Sequence, residues 1–273
     1  MIYQGFVVYC IMKQYRLSKD QKEELFELYK TYNYSYKDLA KIFNKTVSSI
    51  SCLLNREGLK GRKDNNPFRT YEINQNYFDE IDCEEKAYFL GFLCADGCNH
   101  QNNTKVTMHL KEEDKDILIK LNDLLQPQKP LSFVKGRIGT NQYGIQISNK
   151  RISERLNELG CTPRKSFTLN LPSNEQVPEH LFRHYLRGYF DGDGWLGKKD
   201  ISITSSHLFC EKLSNKLFEE FDIKTRNRVK NKITELCFSR YSVVKFLDWI
   251  YKDSNIFLER KYQRYLEYHK NAI

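Results

Sequence analysis

Long apolar runs are missing from this 273-residue chain. The longest candidate, Phe6 to Met12, is broken by Tyr9 and ends at Lys13, well short of the roughly 18 residues that a membrane-spanning helix needs. Proline is scarce, at 6 residues, and glycine stands at 13, which excludes collagen-like and low-complexity chains. None of the eight cysteines (10, 52, 83, 94, 98, 161, 210 and 237) has a Cys-x-x-Cys partner. The opening MIYQGFVVYCI also lacks the basic start and the small-residue cleavage site of an export signal, so an intracellular protein with reduced thiols is expected. Translation is expected to begin at Met12, which makes the segment before it a non-native part of an N-terminal extension, 1–17.

Acidic residues are also in deficit, 35 against 44 basic ones, for a net charge of +9. That balance suits an anionic partner, nucleic acid first, but a ribosomal or membrane-surface protein would carry it as well. Apolar residues make up 40% of the chain and aromatics 14%, enough to fill proper cores, and the length suggests two domains.

From Ser18 the segment SKDQKEELFELYKTY carries a capping signature, Ser18 with Gln21, and then an apolar stripe of Leu25, Phe26, Leu28 and Tyr29. A second helix is expected from Ser35, with Asp38 at the capping distance, ending at Asn44. A third follows Thr46 and stops at Glu57-Gly58. This predicts a helix-turn-helix module over 18–63, whose last helix offers Ser48, Ser49, Ser51, Asn55 and Arg56 to a major groove. The module holds ten cations against six acids. Lys60, Arg62 and Lys63 form a basic arm suited to phosphates, and a polar linker covers 64–76. A plain three-helix interaction domain is the alternative.

The remainder repeats itself. Phe89-Leu-Gly-Phe-Leu-Cys-Ala-Asp-Gly97 and Leu186-Arg-Gly-Tyr-Phe-Asp-Gly-Asp-Gly194 share a small residue at the third and seventh positions and an Asp-Gly end, with the acids 97 residues apart. Strands are expected at 105–110, 131–137 and 143–148, with helices at 113–125 and 150–159. The second copy repeats this with strands at 201–204, 224–230 and 233–238 and helices at 206–221 and 242–252. The fold class is therefore α+β, with two pseudo-symmetric αββαββα repeats over 77–178 and 179–273. Lys165 follows Asp96 by 69 residues and Lys261 follows Asp193 by 68, so each half carries the same layout.

Gly91-x-x-x-Ala95 and Gly188-x-x-x-Gly192 place small residues one helical turn apart, which lets two helices cross face to face. Asp96 and Asp193 would then emerge side by side at C-terminal helix ends, where the helix dipole also opposes an anion. A hard divalent cation is the expected remedy, Mg²⁺ with Mn²⁺ as a substitute, and phosphodiester hydrolysis needs that cation. Lys165 and Lys261 could stabilise the charge that develops on phosphorus. Lys224-x-Arg226-x-Arg228-x-Lys230 puts four cations on one strand face, opposite Ile223, Thr225, Asn227 and Val229. Lys105-x-Thr107-x-His109, Phe133-x-Lys135-x-Arg137 and Gly144-x-Gln146-x-Ser148 are read as polar faces of the first repeat, the whole forming a DNA-binding saddle.

On these residues the chain resembles the LAGLIDADG homing endonucleases of the single-chain, two-motif type, over roughly residues 70–270, with an added helix-turn-helix. The resemblance implies that Asp96 and Asp193 are metal-binding catalytic acids and that the carbonyls of Ala95 and Gly192 help to hold metal. It implies that Lys165 and Lys261 lie around the scissile phosphates. It further implies a monomer that cuts both strands of a long, asymmetric double-stranded DNA site. Cys94 departs from the pattern, standing where the second copy has Asp191.

Two readings on the same fold stay open, an intron-encoded RNA maturase and a catalytically silent DNA-binding regulator. A zinc site at Cys94, Asp96, Cys98 and His100 has no counterpart in the second copy, and His180-x-x-x-His184 lacks a third ligand. A glycosidase would use paired carboxylates but would leave the basic strand unexplained.

Overall fold

A computed structural model describes residues 17–30, 34, 36–59, 71–102, 104–136, 141–197 and 200–270. The chain divides into two compact units, one ending at Glu72 and the other beginning at Ile73. The expected extension before Leu17, the arm residues Lys60, Arg62 and Lys63, and Arg137 lie outside the described residues.

The first unit contains three helices, α1 (Lys19–Lys30), α2 (Tyr36–Ile42) and α3 (Val47–Arg56). The cap chemistry read from the sequence is present: Ser18 N donates to Gln21 Oε1 at 3.0 Å and Gln21 N donates to Ser18 Oγ at 3.2 Å. Asn44, with φ 50, ends the second helix in a left-handed turn. Ser49 N donates to Thr46 Oγ1 at 3.1 Å to start the third. Leu25, Tyr29, Leu39, Ala40, Ile50 and Leu54 form this unit's own buried core.

The second unit is two copies of one plan. In the first, α4 (Glu84–Asp96) runs into β1 (Cys98–Asn99), β2 (Val106–Lys111), α5 (Lys115–Leu125), β3 (Ser132–Val134), β4 (Gln142–Ile147) and α6 (Lys150–Glu158). In the second, α7 (Phe182–Asp193) runs into β5 (Gly194–Leu196), β6 (Ile201–Ser205), α8 (His207–Phe221), β7 (Thr225–Lys230), β8 (Ile233–Phe238) and α9 (Arg240–Tyr251), followed by α10 (Glu259–Lys270). Each copy builds a four-stranded antiparallel sheet, ordered β1-β2-β4-β3 and β5-β6-β8-β7. The sequence pattern located three strands in each. It missed β1 and β5, which are two and three residues long and begin within two residues of the acids.

Ala87 to Cys94 are all buried, the burial expected of a helix that is apolar all round. α4 and α7 pack on each other through glycine. A Cβ on Gly91 would meet the Tyr185 carbonyl oxygen at 1.9 Å, and one on Gly188 would meet that of Tyr88 at 1.9 Å. The reciprocity is the pseudo-twofold read from the repeat. One continuous core runs through both copies. No helix among the described residues is long and apolar enough to cross a membrane.

Candidate nuclease site

The crossing of α4 and α7 brings both helix ends together. A Cβ on Gly192 would lie 2.4 Å from Ala95 Cβ and 3.3 Å from Asp96 Oδ2, so the first acid stands over the second helix's last turn. Both carboxylates reach solvent, yet protein atoms crowd around them. That crowding, with Asp193 next in weight, pushes Asp96 up to about 6. Asp193 is also raised by desolvation, an effect countered by Lys165, Tyr189 and Lys261. Tyr189, one turn before Asp193, donates its hydroxyl to Ser205 Oγ at 2.8 Å.

The two lysines occupy matching places. Lys165 donates to the Gly97 carbonyl, and Lys261 donates to the carbonyls of Phe190 and Gly194, each at 2.5 Å. Both therefore neutralise the partial negative charge at the end of a motif helix. They differ in exposure. Lys165 is half-buried, whereas Lys261 is only 3% exposed and burial pulls it down to about 8. The Lys261 ammonium is held by backbone carbonyls inside the protein, near enough to Asp96 and Asp193 to feel both charges.

Asp191 and Cys94 also turn inward. Asp191 accepts from Tyr88 Oη at 2.8 Å, Tyr251 Oη at 2.5 Å and Leu258 N at 2.7 Å. Cys94 is buried beside Cys161 and Tyr185. Among the described residues no three His, Cys, Asp or Glu side chains group together.

Cross-strand partners share a sheet face. In the first sheet the rungs Cys98-Thr107-Gln146 and His109-Gly144-Ser132 therefore lie on the face opposite the core residues Val106, Met108 and Ile145. His109 and Gln146 are exposed on that face, and Thr107 and Lys105 are half-buried. Lys135 is exposed just beyond β3, which ends at Val134, and Phe133 is paired with Tyr143, in register with buried Leu110.

In the second sheet Arg226, Arg228 and Lys230 are exposed on β7, with Lys224 exposed just before it. Asn227 and Val229 on the other side are exposed too, because this outer strand overhangs the core. The face is not purely cationic. Glu235 of β8 lies among these residues, with Oε2 accepting from Arg228 Nη1 at 3.2 Å and from Lys230 Nζ at 2.6 Å. Sequence reasoning also missed Ser202, Thr204, Trp195 and Cys237 on this face. The period-two alternation of buried Thr234, Leu236 and Phe238 with half-buried Ile233, Glu235 and Cys237 is the signal that would have found the β8 members.

On α3, Ser48, Asn55 and Arg56 are exposed, Ser51 is half-buried, and Ser49 uses its hydroxyl on Thr46 Oγ1 at 2.8 Å.

Residues 182–251 match the family model described as a LAGLIDADG-like domain. A solved structure titled as the homing endonuclease I-WcaI bound to its DNA recognition sequence aligns with a TM-score of 0.50 and 13% identity, covering 77% of this chain and 96% of that one. Full-length DUF199/WhiA from Thermatoga maritima aligns with a TM-score of 0.44 and 17% identity, over 71% of this chain and 64% of that one. A curated protein, Replication factor C small subunit of Methanocaldococcus jannaschii, is 25% identical over 201 residues, 65% of this chain. The match takes in 11% of that protein, so the chain spans about a tenth of the length of the curated relative it matches. The LAGLIDADG resemblance read from the two motifs holds, by the family model over the second copy and by the fold over both.

Proposed function

We propose that this chain is a site-specific endonuclease that hydrolyses both strands of double-stranded DNA with a divalent metal, acting as a monomer inside the cell on a long, asymmetric site. The observation that carries this reading is the pair of solvent-reaching carboxylates, Asp96 and Asp193, at the ends of two helices locked together by glycine. The likeness to a homing endonuclease bound to its DNA recognition sequence supports it.

The donors suit Mg²⁺, with Mn²⁺ as substitute. Two carboxylates and helix-end carbonyls are hard oxygens, and Mg²⁺ characteristically takes one or two carboxylates and fills the rest of its sphere with water and phosphate. Burial first, then the neighbouring Asp193, raises Asp96, and a cation beside the two carboxylates would offset both effects. Asp96 and Asp193 would hold the metal, with the carbonyls of Ala95 and Gly192 beside them. When bound it supplies water activation and neutralisation of the leaving oxygen. Lys165 keeps enough exposure to act on developing phosphate charge, while Lys261 fixes the end of α7. Lys105, Thr107, His109, Gln146, Lys224, Arg226, Arg228 and Lys230 contact the duplex, and α3 adds a helix-turn-helix contact.

The test is incubation with Mg²⁺ and a duplex library that includes the gene's own flanks joined across the insertion point, beside an Asp96→Asn, Asp193→Asn double variant. Discrete cuts by the wild type alone are expected. Tight binding by folded protein without cutting would sink the endonuclease and return the silent regulator or the maturase.

A further inference from the structure

Glu235 is out of place on a surface that only neutralises phosphates, since a carboxylate repels them. It is nevertheless built in. Oε1 accepts from Ser202 Oγ at 3.3 Å while Oε2 accepts from Arg228 and Lys230, which ties β6, β8 and β7 together across one face. Lys230 chiefly, with Arg228 and Ser202, holds the group below the usual carboxylate range, so it is charged at neutral pH.

A carboxylate can accept from the amino edge of cytosine or adenine, and an arginine fixed in place can donate in pairs to guanine. Base edges on a groove floor therefore suit this cluster, whereas a phosphate suits only its cations. We infer that Glu235, with Arg228 and Lys230, is a specificity-determining element that reads one or two base pairs of the target half lying against the second sheet.

The first sheet provides the contrast. The rung of Thr204, Glu235 and Arg228 corresponds by register to His109, Gly144 and Ser132. There the His109 ring lies where a side chain on residue 144 would stand, 2.4 Å from its Cβ position. One rung carries a carboxylate and a guanidinium and the other a histidine, a glycine and a serine, so the two halves of the pseudo-dyad offer different donors and acceptors to base pairs. This supplies a residue-level cause for an asymmetric target, and it rests on the DNA reading above.

The experiment is selection of bound duplexes from a randomised library by the full chain in Ca²⁺, run in parallel with Glu235→Ala and with Glu235→Gln, which keeps the side-chain shape. Affinity for a scrambled duplex is measured for all three. Glu235→Ala should lose about tenfold of its preference at one or two adjacent base pairs in one half-site only, the scale of a single good base contact. Its binding to scrambled duplex should be unchanged or tighter, because a repelling charge has gone. Glu235→Gln should show an altered preference at those same pairs. An unchanged selection profile, or equal weakening at every position and on the scrambled duplex, overturns the inference while leaving the DNA reading intact. A wild type that enriches no sequence overturns both.

Discussion

At the scale of single residues, buried charge among the described residues is partnered, and burial and partners together set how it responds to pH. Arg187 is completely buried and donates to the carbonyls of Ile250 at 2.7 Å and Ile256 at 2.8 Å and to Glu84 Oε1 at 2.6 Å. His184 Nδ1 lies 2.9 Å from the same guanidinium. Burial first, then Arg187, pulls that imidazole down to about 4 from an ordinary 6.5. A folded value below the unfolded one gives stability that is present above pH 6.5 and lost as the pH falls through about 4. The Tm difference between wild type and His184→Gln should therefore shrink as pH is lowered across that window, measured by thermal melts in a pH series. Asp96 has the opposite sign. Its folded value of about 6 exceeds 3.8, so the metal-free protein loses stability as pH rises through that interval. Asp96→Asn should melt higher than the wild type in EDTA above pH 6, and added Mg²⁺ should raise the wild-type Tm and leave the variant's unchanged.

At the scale of elements, the site depends on how closely α4 and α7 approach. No side chain other than hydrogen fits at Gly91 or Gly188 without pushing a helix off a backbone carbonyl. Gly188→Ala should cost about 1–3 kcal/mol, or a few degrees in Tm, despite alanine's better helix propensity. It should also lower cleavage more than the stability loss explains, since the acids ride on the displaced helices. Lys261 belongs to this scale as well. Its bonds to Phe190 and Gly194 terminate α7, and Asp191 on the same helix is its largest favourable charge partner. Asp191→Ala leaves two tyrosine hydroxyls and the Leu258 N–H without their acceptor and Lys261 without its largest favourable charge, and should cost about 3–5 kcal/mol in denaturant unfolding, the range for uncovering a buried charge.

At the scale of the whole molecule, a net charge of +9 would make the proposed duplex binding dependent on salt. A plot of log affinity against log salt should fall with a slope of roughly −0.9 for each phosphate neutralised. If α3 engages the same duplex as the sheets, Asn55→Ala with Arg56→Ala should weaken binding and flatten that slope by about 0.9, the share of one cation. An unchanged slope would leave α3 with another role.

Much of this was legible in the chain. Capping residues, helical stripes and the two glycine-bearing motifs depend on neighbours three or four positions away, so α1 to α4, α7 and the paired acids followed from local pattern. The spacing of the copies announced the pseudo-dyad and, with it, the matching places of Lys165 and Lys261. Tertiary structure alone decided what those side chains face. The exposure of Lys261 is set by the loop and helix folded over α7, and β1 and β5 are too short to carry a period of their own. The charge of a sheet face depends on which strand lies beside β7, so four cations at alternate positions could not disclose Glu235 in the next strand. Contacts between residues close in sequence are written in its order, whereas burial, and the sign of the charge a partner meets, arise only when distant strands are brought into register.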